Sequence, residues 1–279
     1  MEYLLLNFYK KPGTFYFSLA IMLGLILILA GCSSMFIYYP EKKIMRTPAD
    51  LNLAYESVYI KTKDKITVSG WWVPVTGARR VVLFFYGNGG NISYYLDILS
   101  IFGKLGLSTL MIDYRGYGMS GGHPNEEGTY NDAQAAWDFL IHEMNIPPDK
   151  IIVMGRSLGG AIAGWLASHN TPKLLILESS FLSFARVAKN LYPWAPTTIL
   201  FGNIYNTAAH LEQVRCPVLV IHSPDDEIVP FNHGLQLFEL VQGPKKFLKI
   251  SGSHNGGFYQ SLEIYREGLA DFIAQYMRD

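Results

Sequence analysis

Apolar and polar positions fall into blocks along most of this chain, and the period of the blocks changes in a regular order. Segments 55–60 and 67–73 are rich in β-branched and aromatic residues and flank the polar turn Lys63-Asp64-Lys65. That pattern predicts two antiparallel strands. Residues 81–86 (Val-Val-Leu-Phe-Phe-Tyr) are continuously apolar, as a strand covered on both faces requires. A glycine-rich turn follows, and then helical spacing over 92–105. Further strands are predicted at 107–113, 151–154, 173–178, 217–222 and 246–250, with helices near 128–144, 158–169, 233–241 and 258–277. Strands without polar alternation, joined by helices, imply a mostly parallel sheet with helices on both faces. Residues 181–212 break this rhythm. They place Tyr192, Pro193, Trp194, Pro196 and Phe201 between two strands and read as a short lid, the alternative being a long crossover helix with an irregular start.

The amino terminus has a different pattern. Lys10 and Lys11 precede an apolar stretch over 15–30, interrupted only by Ser18 and Gly24. The stretch is short for a spanning helix of about 20 residues but suits the hydrophobic core of an export signal. It ends in Leu29-Ala30-Gly31-Cys32, which resembles the lipobox of bacterial lipoproteins. The resemblance implies that the Cys32 thiol takes a diacylglyceryl group and becomes the first residue after cleavage. The alternative is an uncleaved signal anchor. In either case the lysines stay inside, so the rest of the chain is membrane-anchored and faces the periplasm or the cell exterior. The expected organisation is 1–31 as a signal peptide of lipoprotein type or a signal anchor, and 32–279 as one α/β domain with its lid near 181–212.

Composition narrows the picture further. Apolar residues make up 49% of the 279 and aromatic ones 14%, enough for a buried core and against disorder. The 23 basic and 23 acidic residues balance without a long run of either sign, which gives no support to nucleic-acid binding. With Cys32 and Cys216 alone, a disulfide framework is not expected, and Cys216 reads as core or turn.

Gly155-Arg156-Ser157-Leu158-Gly159 follows a short apolar strand and precedes a helix start of small residues. That context suits a G-x-S-x-G elbow, a tight turn that exposes the serine hydroxyl. A nucleophilic serine needs a base, and the base needs an orienting acid; in this fold the chain order is Ser, Asp or Glu, His. The strand near 217–222 runs into His222-Ser223-Pro224-Asp225-Asp226-Glu227, and the strand near 246–250 into Ser251-Gly252-Ser253-His254-Asn255. An acidic loop and a histidine loop thus follow successive strands, at the carboxyl edge where ligand sites of such sheets lie. His254 is the expected base. His222 is too close to its strand, His142 and His169 lie on predicted helices, and His123, His210 and His233 are expected at the surface. The oxyanion hole should combine the Leu158 N–H with one from Gly87-Asn88-Gly89-Gly90-Asn91, where Asn88 is the expected donor and Gly89 the alternative. Nucleotide fingerprints and H-E-x-x-H are absent, so no cofactor or metal is implied.

Several segments together carry a resemblance from about Phe36 onward. They are Ile37-Tyr38-Tyr39-Pro40, Asp113-Tyr114-Arg115-Gly116-Tyr117-Gly118, Gly155 to Gly160, Leu177-Glu178-Ser179-Ser180-Phe181, Asp226-Glu227-Ile228-Val229-Pro230 and His254-Asn255. The chain resembles the small membrane-associated serine hydrolases of the α/β-hydrolase superfamily that include protein depalmitoylases. The resemblance implies the α/β-hydrolase fold, and hydrolysis of a small-molecule carboxyl ester or thioester through an acyl-enzyme. It also favours Asp226 over Asp225, because the acid in that family precedes Glu-x-Val-Pro. The chain departs from the family in having Tyr86-Gly87 and His222-Ser223 where His-Gly is common. Depalmitoylation is not carried over, because an exported protein does not meet palmitoylated cytoplasmic partners. Two alternatives remain: an aminopeptidase-like serine peptidase, and a non-catalytic lipid-anchored envelope protein on a hydrolase fold.

Overall fold

The computed structural model describes residues 34–277. Its centre is an eight-stranded sheet of β2 (Glu56–Lys61), β3 (Thr67–Val73), β4 (Val81–Phe85), β6 (Ser108–Ile112), β7 (Ile151–Arg156), β8 (Leu174–Glu178), β9 (Val218–His222) and β10 (Lys245–Lys249). The spatial order is β10-β9-β8-β7-β4-β6-β3-β2. All neighbours pair in parallel from β6 to β10, while β3 runs antiparallel to both β2 and β6. The continuously apolar runs become the central strands: every residue of β4, β6, β7, β8 and β9 is buried. The edges read differently. β10 (Lys-Lys-Phe-Leu-Lys) is half-buried and β2 (Glu-Ser-Val-Tyr-Ile-Lys) mostly exposed, and charges there discourage pairing with another chain.

The crossover direction reverses at β4, whose two neighbours are β6 and β7. Loops leaving the carboxyl ends of β4 and β7 therefore diverge and leave a crevice between them, the topological switch point of an open parallel sheet. The glycine-rich loop after β4 and the Ser157 turn after β7 flank that crevice.

The helices fall close to the expected places, with physical reasons for each departure. The expected 92–105 helix is a 3-10 turn at Ile92–Tyr94 followed by α2 (Leu96–Lys104), where α1 denotes the short Ser34–Ile37 helix. α3 (Glu126–Asp138) begins two residues before the predicted start, because the Asn125 side chain accepts from Gly128 N at 2.8 Å and caps it. α4 (Leu158–His169) matches the predicted span. The 181–212 segment forms three short helices, α5 (Phe184–Leu191), α6 (Thr197–Phe201) and α7 (Thr207–Leu211). α8 (Phe231–Leu240) follows β9. The terminal helical pattern breaks at Ser261 into α9 (Gly257–Gln260) and α10 (Leu262–Tyr276). There the Ser261 hydroxyl bonds both the N–H and the carbonyl of Ser251, at 2.8 and 3.1 Å, and ties the break to the loop after β10.

One element has no counterpart in the sequence pattern. β1 (Tyr39–Pro40) pairs in parallel with β5 (Gly89–Gly90), attaching the start of the described chain to the loop after β4. The expected signal segment at 1–31 and Cys32 lie outside the described residues. Among the described residues no helix is long and apolar enough to cross a membrane.

Candidate active site

β7 ends in the elbow. Gly155 and Gly159 allow its close packing: a Cβ on Gly155 would lie 2.0 Å from the Gly159 carbonyl oxygen, and one on Gly159 would lie 2.1 Å from that of Phe85. Between them Ser157 has φ +53° and ψ −118°, a conformation side chains other than glycine rarely adopt. Its N–H donates to Glu178 O on the adjacent strand at 2.8 Å, and the Ser180 hydroxyl donates to its carbonyl at 3.2 Å. The turn is fixed from two sides, and the half-buried hydroxyl points toward the histidine loop.

His254 Nε2 lies 3.1 Å from Ser157 Oγ, and its Nδ1 lies 2.8 Å from Asp226 Oδ2 and 3.0 Å from Oδ1. The carboxylate is buried and well satisfied. Its Oδ1 accepts from Ile228 N at 3.0 Å and from Val229 N at 2.8 Å, and His222 Nε2 lies 3.4 Å from Oδ2. Burial by itself raises the Asp226 pKa. Hydrogen bonds from His222 and His254, the charge of a protonated His254 and the Val229 N–H outweigh it and hold the carboxyl well below the usual range. Asp225 is exposed and accepts only from Gly252 N at 3.1 Å. The structure thus brings Ser157, His254 and Asp226 into one hydrogen-bonded line, with Asp225 outside it.

Leu158 is the first residue of α4, so its N–H has no intrahelical acceptor. Both Leu158 and Asn88 border the cleft that Ser157 opens into. Gly87 is beside the serine: a Cβ there would lie 3.7 Å from Ser157 Cβ. The Asn88 side chain turns away and donates to Ile37 O at 3.0 Å, while its carbonyl accepts from Tyr39 N at 3.0 Å and the Tyr117 hydroxyl at 2.8 Å. Of its backbone groups, the N–H is left for the crevice.

The Asp113 to Gly118 segment fastens this loop. Asp113 Oδ1 accepts from the Tyr86 hydroxyl at 3.0 Å and Ile92 N at 2.9 Å. Tyr114 donates to Tyr86 O at 2.7 Å. Arg115 bonds Asp132 at 2.8 Å and Asp64 at 2.6 Å. Tyr86, the departure from the His-Gly pattern, is fully buried in this network.

Sequence reasoning overlooked Arg156, the variable residue before the serine. Buried at the end of β7, it donates from Nη2 to His254 O at 2.5 Å and faces Glu178 Oε1 at 3.5 Å. Glu178 in turn accepts from the Tyr265 hydroxyl at 2.6 Å. The guanidinium therefore ties the elbow to the histidine loop. The one available signal was an arginine at the position before the serine in the G-x-S-x-G. His233, expected at the surface, is buried instead. It sits on α8, accepts from Leu182 N at 3.2 Å, and burial pushes its pKa down to about 4. His123 is exposed and His210 half-buried.

The cleft has a volume of about 630 Å³ and a lining of two kinds. Phe181, Phe184, Val187, Ala188 and Phe201 are apolar, all from the 181–212 segment. Glu41, Asp97, Tyr94 and Tyr259 are polar; Tyr94 donates to Glu41 at 2.6 Å and Tyr259 bonds Asp97. Among the described residues no group of three or more His, Cys, Asp or Glu is placed to hold a metal ion.

Residues 94–257 match the prolyl oligopeptidase family, a span that contains Ser157, Asp226 and His254. The uncharacterized protein Rv2307c of Mycobacterium tuberculosis is 34% identical over 255 residues, covering 90% of this chain and 91% of that protein. The α/β-hydrolase domain-containing protein WAV2 of Arabidopsis thaliana is 31% identical over 278 residues, covering 90% of each. Among solved structures, the Pyrococcus furiosus esterase Pf2001 superimposes with a TM-score of 0.74 at 19% identity, over 86% of this chain and 98% of that one. That likeness establishes the α/β-hydrolase fold.

Proposed function

Because the chain belongs to the prolyl oligopeptidase family and has the α/β-hydrolase fold, we propose that it is a serine hydrolase cleaving carboxyl-ester or thioester bonds through an acyl-enzyme. One observation carries the reading: the unbroken line Asp226–His254–Ser157, with contacts of 2.8 and 3.1 Å, whose serine and histidine line the cleft. Ser157 Oγ attacks the carbonyl carbon while His254 Nε2 takes its proton. Asp226 keeps the imidazole in the tautomer that can accept there. The oxyanion is met by the Leu158 N–H at the positive end of α4 and by the Asn88 N–H. The alcohol or thiol then leaves with the proton from His254. Water attacks the acyl-serine, gives a proton to His254, and the acid departs as Ser157 regains its hydrogen.

A fluorophosphonate probe tests the assignment directly: it should label the wild type and leave Ser157→Ala unlabelled. Labelling that survives in Ser157→Ala means a different nucleophile. The aminopeptidase-like reading has a specific support of its own, since the carboxylates of Glu41 and Asp97 in the cleft lining could receive a peptide ammonium group. A panel of short-chain esters and proline arylamides separates the two readings. Faster turnover of the arylamides would favour the peptidase, and no turnover of either would favour a binding role. The protein is further proposed to be held on a membrane through residues 1–32, with lipid on Cys32.

A further inference from the structure

Beyond the chemistry of the site, the structure fastens residues 36–40 beside it. Ile37 O accepts from the Asn88 side chain, Tyr38 bonds the Tyr205 hydroxyl at 2.7 Å, and β1 pairs with β5 in the loop beside Ser157. Phe36 and Tyr39 themselves line the cleft. The apolar stretch 15–30 and Cys32 precede this point by only a few residues. Four residues from Cys32 to Phe36 span at most about 14 Å, and six from Ala30 about 20 Å. A tether at either place holds the cleft mouth against the membrane it enters.

Two segments beside the cleft expose apolar side chains. Met35, Phe36 and Tyr39 come from residues 34–40, and Leu191, Tyr192 and Trp194 from the 181–212 segment; all six are exposed. Trp194 is 83% exposed and Met35 71%. The rings of Tyr192 and Trp194 meet edge to face at 6.3 Å, and Leu191 and Tyr192 line the same cleft as Phe36 and Tyr39. Exposed tryptophan and tyrosine around an apolar opening match the amphipathic side chains that sit at a membrane–water boundary. Phe184, Val187 and Phe201, from the same segment as Leu191, Tyr192 and Trp194, are apolar lining of the cleft that also holds Ser157.

We infer that the rim of Met35, Phe36, Tyr39, Leu191, Tyr192 and Trp194 docks on a lipid bilayer, and that the ester entering the cleft is drawn from that bilayer. This rests on the hydrolase and membrane readings above. The acyl chain passes from lipid to protein along a continuous apolar path, so the short distance to the tether serves substrate capture.

The full-length chain, reconstituted in phosphatidylcholine vesicles containing a doxyl-labelled phosphatidylcholine, supplies the test. Quenching of tryptophan fluorescence should be strong in the wild type and largely lost in Trp194→Phe; Trp71 and Trp137 are buried and Trp72 and Trp165 half-buried. Equal quenching in the two proteins, or none in either, overturns the docking. So does a cross-linked dimer in which a second copy shields Trp194 from the quencher. In a second measurement, Met35→Ser/Trp194→Ser is compared with wild type on a soluble short-chain ester and on a long-chain ester carried in the vesicles. The expected loss is about tenfold on the vesicle-borne ester only. Equal loss on both esters, or on neither, overturns the substrate source. Failure of the hydrolase reading appears separately, as absent fluorophosphonate labelling and no turnover of the soluble ester by wild type.

Discussion

Asp226 lies between two imidazoles, His254 at 2.8 Å and His222 at 3.4 Å, and also accepts two backbone N–H groups. That many donors around one buried carboxylate favour its charged form. Asp226→Asn replaces an acceptor oxygen with a donor and so misorients the imidazole; kcat for ester hydrolysis should fall by up to about 10⁴-fold, as in serine proteases. Asp225→Asn, which changes only an exposed turn, should leave kcat within about twofold. Equal losses in the two variants would show that the carboxylates act together. Arg156 is a positioning residue in this reading, because it holds the His254 carbonyl rather than the reacting atoms. A displacement of about 1 Å costs on the order of 10²-fold in rate. Arg156→Leu should therefore lower kcat 10- to 100-fold (roughly, by the same relation) with little change in KM, and Arg156→Lys should recover part of the loss. A raised KM with unchanged kcat would mean that the guanidinium contacts substrate instead.

At the scale of the elements, the 113–118 turn acts on catalysis through the loop it ties down. Its Asp113, Tyr114 and Tyr117 side chains hold Tyr86, Asn88 and Ile92. Asp113 is buried, and its Oδ2 has no hydrogen-bond partner. Burial, opposed by the bonds from Ile92 N and Tyr86, pushes its pKa up to about 6 from an ordinary 3.8. The folded protein therefore binds this proton more tightly than the unfolded chain. The sign follows: the contribution is present below about pH 4 and is lost as pH rises through 6, a change on the order of 3 kcal/mol. Asp113→Asn carries no titrating group there. Urea unfolding at pH 4 and pH 7 should show the variant gaining on wild type by up to about 3 kcal/mol between the two. A pH-independent difference would show that the buried carboxyl is not charged at a cost.

For the whole molecule, the sheet is a platform that brings four loop ends to one edge, and β1 joins at that same edge through its pairing with β5. Lipid on Cys32 predicts that the wild type incorporates an alkynyl fatty acid and migrates at the mass of residues 32–279 plus lipid. Cys32→Ala should lose the label and retain residues 1–31. Two acyl chains from one cysteine are enough for stable anchoring, where a single chain holds only marginally. An unlabelled wild type of full length would point to an uncleaved anchor and leave the catalytic reading unchanged.

The apolar runs at 81–86, 151–154, 173–178 and 217–222 specified buried parallel strands on their own, because a strand covered on both faces has no polar position to spare. Ser157, Asp226 and His254 were legible for a related reason: each follows a recognisable strand, and parallel strands deliver their carboxyl ends to one edge. Choosing Asp226 over Asp225 needed the family resemblance, since two adjacent aspartates look alike in a sequence; the fold separates them by burying one beneath His254. The sequence alone could not show Arg156 reaching His254, 98 residues away, or β1 pairing with the loop beside Ser157. Nor could it show that His233 is buried or that Phe36 and Tyr192 line one cleft. Such contacts join segments with no periodic or local signal, and only the packing of the tertiary fold decides which distant side chains meet.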